Sequence, residues 1–452
     1  MGTSHNERIR VAIIGGGFAG LTLLIGLLKY PHIDATLYES SQKFSEQGAS
    51  AVLGPSAQRA MELIDPRILH GFQNRAAFHE EEPDKNGMHT WVRAVKGQEP
   101  DVGGVIAEFK YHIRGSTIHR AHFLEELVKL VPPSQTKFGK KLTDIIQPTG
   151  DDNEPMVLHF RDRTFAKADV VVGADGIHSM VRKHILGIHH EAANAFFTGV
   201  ISYRSTIPYE DAQAVLGDDY VKPEFALRCG KNGLIFGFPM VNKTMFFIGV
   251  MTFNNSHDRV TEDLWSIPVD TADLQQRFGD WDPYVQKLVS LVPDDASTTG
   301  FSIWEMPLAP TYVKGRVVII GDAAHAPTPF SGAGAAMAIE DSCVLHTLLG
   351  KYLDPERLAR NKFSKAQSVR LALQSFDSVR RLRTQKVVVR SAEMGRLLSC
   401  TEEGVGSSQA EMYRHLEGKL WWIYDGNQEE QVRDACLLFE RAEFAAAQAT
   451  SR

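Results

Sequence analysis

A short apolar run, residues 9–14, leads directly into Gly15-Gly16-Gly17-Phe18-Ala19-Gly20, and an apolar helical pattern then continues to about Tyr30, before Pro31. A chain that passes from strand to GxGxxG turn to helix has few folds open to it. Gly15 permits a tight turn, Gly17 lets backbone approach a pyrophosphate, and Gly20 lets the helix pack close on the strand. The N–H groups and dipole at the helix start favour an anion. Residues 35–39 read as a second strand, so the segment opens a βαβ unit with a parallel sheet and a right-handed crossover. Glu39 stands nineteen residues beyond Gly20. A carboxylate there accepts both hydroxyls of an adenosine ribose and repels a 2′-phosphate. The nucleotide expected in this cradle is FAD or NAD, not NADP.

Two further glycine motifs follow apolar strands. Residues 168–174 run into Asp175-Gly176, and residues 316–320 run into Gly321-Asp322-Ala323-Ala324-His325. An Asp-Gly turn alone is common on surfaces. Three such motifs in order describe a cofactor held by loops from distant parts of the chain. Asp322 suits a polyol chain such as ribityl. Gly332-Ala333-Gly334 brings backbone N–H groups to a helix start, where the negative charge of a reduced flavin ring is favoured. His325 reads as a structural loop histidine, and Lys140 and Lys141 read as solvated.

From 196 to 255 short strands (199–207, 233–238, 244–253) alternate with turns, the pattern of an antiparallel sheet. Met245, Phe246, Phe247 and Phe253 are expected in its core. Residues 78–104 read as loops or an edge hairpin, and Arg120 to Val131 as a helix. The expected fold is α/β: a Rossmann-like FAD-binding parallel sheet (8–75, 106–195 and 290–350), an inserted antiparallel β-sheet substrate domain (76–105 and 196–289), and a helical C-terminal region (351–452). The net charge of −6, with no basic stripe, argues against nucleic acid as a partner. Cys229, Cys343, Cys400 and Cys436 form no CxxC pair, so neither a metal site nor a disulfide framework is expected. The start, MGTSHNERIR, is polar, and no apolar run nears the roughly 18 residues of a membrane span. A cytoplasmic monomer or homodimer is expected.

With Glu39, the three motifs match the signatures of the class A, single-component FAD-dependent aromatic monooxygenases. The chain resembles their salicylate-hydroxylase-like group, common in fungi, over about residues 8–390. The resemblance implies tightly but non-covalently bound FAD, NADH or NADPH as a transient reductant, and O2. The absence of a second GxGxxG agrees with a reductant that binds only in passing. In that group reduced flavin and O2 give a C4a-hydroperoxide that hydroxylates an activated ring or double bond, and the protein orients and desolvates the reactants. On this chain it implies Gly15, Gly17, Gly20, Glu39, Ser50, Arg120, Asp175, Asp322, Gly334 and Ala335 as cofactor-binding residues. It also implies Tyr203 and Arg204 as catalytic residues, the arginine holding a phenolate whose pKa a cation lowers.

The chain also departs from the group. Where phenol-hydroxylating relatives often carry His-x-x-x-Tyr before a proline, it has Leu234 to Phe238 before Pro239. Pro329-Phe330-Ser331-Gly332 replaces Pro-His-x-Gly. Phe238 and Phe330 are expected to line an apolar pocket, for a larger, more hydrophobic substrate or one that ionises unaided. The expected function is hydroxylation of an aromatic or polyketide-like small molecule in fungal secondary metabolism or aromatic catabolism. The alternatives are a flavin-dependent epoxidase of a hydrophobic alkene or terpenoid, and a non-oxygenating FAD oxidoreductase. The second would ordinarily show another nucleotide fingerprint or a redox CxxC.

Overall fold

Five parallel strands and one antiparallel edge strand build the first sheet. Its order is Val313–Lys314, Val317–Ile319, Val170–Gly173, Ile9–Ile14, Ile33–Tyr38, Thr136–Lys137, with only Val313–Lys314 antiparallel. The structure is a computed structural model. It describes residues 8–44, 50–78, 82–218, 221, 226–240, 244–255, 266–295, 298–361, 363–417 and 421–450. Val170, Val171 and Val172 are buried on both faces, as a parallel sheet covered by helices requires.

Register explains why three distant motifs meet. Ile14 pairs with both Gly173 and Tyr38, and Gly173 pairs with Ile319. The first residues beyond this row are Gly15, Ala174, Glu39 and Ile320. All three glycine motifs and Glu39 therefore leave the sheet at its carboxyl end, where ligands bind in open α/β folds.

The Phe18–Leu27 helix is buried along its whole length. It has no polar stripe because the sheet lies on one side and the Gly334–Tyr352 helix on the other. Gly20 permits the contact: a Cβ there would lie 2.0 Å from the Gly15 carbonyl oxygen. The helix ends at Leu27 rather than near Tyr30, because the Tyr30 N–H turns back to the Leu27 carbonyl (3.0 Å) in a tighter i→i−3 bond. The Arg120–Val128 helix likewise stops short of Val131.

The second sheet has eight strands: Ser266–Pro268, Thr299–Glu305, Phe196–Pro208, Met245–Thr252, Gly233–Met240, Ala226–Gly230, His89–Lys96 and Val105–Tyr111. It is antiparallel except where Ala226–Gly230 joins His89–Lys96. Two strands lie on the other side of the boundaries read from the sequence. Val105–Tyr111 pairs with His89–Lys96, and Thr299–Glu305 with Phe196–Pro208. Both ladders place in this sheet residues that the sequence reading put with the nucleotide sheet (from 106 and from 290). One face packs on the Tyr209–Leu216, Thr271–Arg277 and Pro283–Ser290 helices. The other faces a cavity shared with the C-terminal helices. Beyond residue 351 the described chain is helical, dominated by Lys365–Leu398 with a Ser364/Gln367 capping box. Among the described residues no helix is long and apolar enough to cross a membrane.

Candidate active site

One cavity of about 1280 Å³ runs from the carboxyl end of the parallel sheet to the inner face of the eight-stranded sheet. Pockets that take a single drug-sized ligand measure roughly 300–1,000 Å³, so this larger one has room for a dinucleotide and a small second molecule. Gly15 takes φ +106°, and a Cβ there would lie 2.2 Å from the Ala174 carbonyl oxygen. Gly17 has an ordinary φ of −76° at the start of the Phe18–Leu27 helix. Nothing lies within 4 Å of where its Cβ would be, and it lines the cavity. That is a cradle one methyl would fill, facing unpaired helix N–H groups, and it fits the pyrophosphate of FAD. Glu39 lines the same end. Its carboxylate is fixed by the N–H groups of Gly16 and Ser41, both at 2.7 Å, which leaves lone pairs for ribose hydroxyls.

The second motif lines the cavity at Asp175 and Gly176 and also braces the fold. Asp175 accepts from the N–H groups of Met180 (2.7 Å) and Val181 (3.2 Å), capping the Met180–Leu186 helix. Burial raises its pKa, against the pull of these hydrogen bonds. Arg182 is fully buried and donates to the carbonyls of Ala192 (2.6 Å), Pro307 (2.6 Å), Ala323 (3.1 Å) and Ala324 (2.7 Å). It thereby ties the second motif to the third, and burial pushes its pKa down to about 10.

The third motif hangs on a buried charge chain. Asp341 accepts from the Gly321 N–H (3.0 Å), contacts His325 Nε2 (2.6 Å) and pairs with Arg380 (2.7 Å). Arg380 also pairs with Glu340 (2.9 Å), which meets Arg383 (3.0 Å). Burial alone would raise both carboxyls. For Asp341, His325 and Arg380 outweigh it, and for Glu340 the two arginines do, so both are held low. His325, which the sequence reads as a structural loop histidine, is buried and meets Asp341 within this charge chain. Asp322 remains exposed on the cavity wall, with Gly334 and Ala335 beside it at the start of the Gly334–Tyr352 helix. The Ser331 N–H is held by Ser391 Oγ (3.1 Å), and the Ser331 carbonyl by the Tyr424 hydroxyl.

Glu305 lies against this loop. Its Oε2 is buried with no hydrogen-bond partner among the described residues, and burial pushes its pKa up to about 7 against the Thr328 N–H. A raised folded-state pKa means that the neutral form stabilises the fold. That contribution is complete below about pH 4.5 and is lost as pH rises through 7. Glu305→Gln is therefore expected to raise Tm at pH 8 and to leave it unchanged near pH 4. Thermal melts across that range check it, and equal Tm values at pH 8 would contradict it.

The far end of the cavity is aromatic, with Phe236, Phe238, Phe247, Phe301 and Trp304 on its walls. Phe238 and Phe330 line it as expected. Phe247 does too, whereas Phe246, its neighbour in the strand, is in the core, because alternate strand residues face opposite ways. Arg204 enters this chamber. Its Nε lies 3.3 Å from Ser202 Oγ and its guanidinium 5.2 Å from the Phe301 ring centre. No carboxylate pairs with it among the described residues. Burial, then the charge of Arg120, lowers its pKa.

Tyr203 does not join Arg204. The same alternation turns it to the opposite face, 4% exposed and packed in the cluster that contains Leu216 and Leu274, so the paired catalytic assignment divides. Arg120 lines the cavity, 5.1 Å from the Phe18 ring centre. The backbone of Ser50 opens the Ser50–Val52 strand against His119; its side chain lies outside the described residues. Nothing in the local sequence marks a role for Arg182, Asp341, Arg380, Ser391 or Tyr424. Each acts through long-range contacts that no local spacing announces. Among the described residues no cluster of His, Cys, Asp and Glu could hold a metal ion.

Residues 8–374 match the family model described as an FAD binding domain. The chain belongs to this family. It is an FAD-dependent monooxygenase of the salicylate-hydroxylase type, and FAD is its cofactor. It is 37% identical over 443 residues to the 6-methylsalicylate 1-monooxygenase atA of Aspergillus terreus, a match spanning 96% of this chain and 93% of the relative. It is 30% identical over 462 residues to the salicylate hydroxylase asL1 of Sarocladium schorii, spanning 97% and 93%. A solved salicylate hydroxylase–substrate complex superposes on this monooxygenase with a TM-score of 0.80 at 28% identity, covering 95% of this chain and 98% of that one.

Proposed function

We propose that this monooxygenase hydroxylates an anionic aromatic small molecule of the phenolic-acid type, held in the aromatic chamber with its anionic group on Arg204. The observation that carries this reading is a guanidinium inside an aromatic chamber with no carboxylate paired to it among the described residues. Withdrawing such a charge from water without a counter-ion is unfavourable, and a substrate anion offsets that cost. The relatives named for salicylate and 6-methylsalicylate support the same class.

When bound, FAD supplies the redox chemistry: NADH or NADPH delivers the electrons, and O2 is the source of the oxygen atom transferred. The chain's residues do the rest. The Phe18–Leu27 helix start and Gly17 hold the pyrophosphate, Glu39 the adenosine ribose and Asp322 the ribityl chain. The N–H groups of Gly334 and Ala335 face the ring and favour its negative charge. Gly15, Gly20 and Asp175 shape the cradle, and Arg120 contributes positive charge to it. Arg204 favours the phenolate, the electron-rich form of the ring, and the phenylalanines exclude water. The eight-stranded sheet is the substrate side, and the parallel sheet the cofactor side.

The test is a visible spectrum of the purified protein, followed by NADH and NADPH oxidation in air with salicylate, 6-methylsalicylate and neutral controls. Flavin bands, stimulation by the acids and a hydroxylated product are the expected results. A colourless protein that FAD cannot reconstitute, or stimulation by neutral alkenes alone, would overturn the reading.

A further inference from the structure

The C-terminal Trp421–Tyr424 segment is tied to the cofactor loop at both ends. Arg383, paired with buried Glu340, donates to the carbonyls of Trp422 (3.1 Å) and Ile423 (2.8 Å). Glu340 shares Arg380 with Asp341, and Asp341 holds the Gly321 N–H. At the other end the buried Tyr424 hydroxyl donates to the Ser331 carbonyl. The contacts thus link Gly321 to Ser331 across the cofactor loop by way of the C-terminal segment. Tyr424 also lines the cavity, edge-on to Tyr111 (5.2 Å) and Trp91 (5.8 Å). Its hydroxyl lies beside Gly332, where a Cβ would be 3.2 Å away. Gly332 takes φ +62°, and its N–H is spent on the Pro329 carbonyl (2.9 Å). With Ser391 on the Ser331 N–H and Tyr424 on its carbonyl, both peptide groups flanking Ser331 are fixed, immediately before the helix start at Gly334.

We propose that Tyr424 is a positioning residue for the flavin ring. Its hydroxyl holds the Ser331 peptide, and so sets where the N–H groups of Gly334 and Ala335 point. This rests on the reading that those N–H groups face the ring. Two-electron reduction places negative charge on the ring, and donors that drift stabilise it less.

The test uses Tyr424→Phe holoenzyme, which keeps the ring and loses one hydrogen bond. FAD content is expected to stay at the wild-type level. The equilibrium constant for flavin reduction, read by dye equilibration, is expected to fall about fivefold, ~20 mV for two electrons, the effect of one hydrogen bond. The share of reductant oxidation that ends as peroxide should rise. Arg383→Lys keeps a charge for Glu340 and releases the two carbonyls, and should move the potential in the same direction. An unchanged potential in both variants would overturn the proposal. So would loss of FAD together with a fall in Tm, which would make Tyr424 structural only. The potential is read without substrate, so a wild-type enzyme that hydroxylates nothing would fail the functional reading and still report on Tyr424.

Discussion

Arg204→Gln is expected to yield a folded, flavin-loaded protein whose kcat/KM for hydroxylation falls by about 10²-fold or more. Truncating one partner of a desolvated charge pair costs about 2–5 kcal/mol, and each ~1.4 kcal/mol is a factor of ten. The flavin should stay because Arg204 enters from the Phe196–Pro208 strand, whereas the glycine motifs leave the parallel sheet. Glutamine keeps a polar head that reaches Ser202, so the change isolates the charge. The melting temperature should not fall, because the variant removes a half-buried charge that has no acid partner among the described residues. Two readouts separate this role from a structural one. The phenol pKa of bound substrate, followed by its absorbance, should rise in the variant. Arg204→Lys should recover only part of the loss, since an ammonium restores the charge without the planar contact to Phe301. A kcat/KM near wild type, or a lowered Tm with unchanged substrate pKa, would make Arg204 structural.

The same chemical change two residues apart should give opposite outcomes in the first motif. Gly15→Ala is expected to prevent accumulation of soluble protein. Its φ of +106° lies where a side chain is strained, and the new methyl would sit 2.2 Å from a backbone oxygen that cannot rotate away. Strain of about 1–3 kcal/mol and a backbone clash of similar size or more take much of a total stability of roughly 5–15 kcal/mol. Gly17→Ala meets no atom within 4 Å and needs no unusual φ. It should fold with a near-wild-type Tm and purify with little FAD, because its methyl occupies the space proposed for the pyrophosphate. Soluble yield, Tm and the flavin-to-protein absorbance ratio check both. A Gly17→Ala protein saturated with FAD would remove the pyrophosphate from that position.

The contrast between Gly15 and Gly17 shows how far local sequence reaches. The strand, turn and helix at residues 9–27 were legible because each signal is local: an apolar run, glycines at fixed offsets and a helical pattern. So were the two other strand-to-glycine turns. Strand boundaries in the second sheet were less legible. Val105–Tyr111 and Thr299–Glu305 join it by pairing with strands that their own residues do not specify. Tyr203 and Arg204 show the same limit within a dipeptide. Neighbours in a strand face opposite ways, and only the packing of the sheet decides which one reaches the cavity.

Chemical identity and order along the chain were enough for the nucleotide cradle, the α/β class and the presence of a cation at position 204, because those depend on short-range geometry. Convergence was a matter for the tertiary structure. The in-register row of Ile14, Gly173, Ile319 and Tyr38 brings three motifs and Glu39 to one end of a sheet. Arg182 and the chain from Asp341 to Arg383 then hold the loops in place. Tyr424 reaches Ser331 from 93 residues away. A hydrogen bond at that separation leaves no periodicity in the sequence, because what brings its partners together is the packing of helices and not the path of the chain.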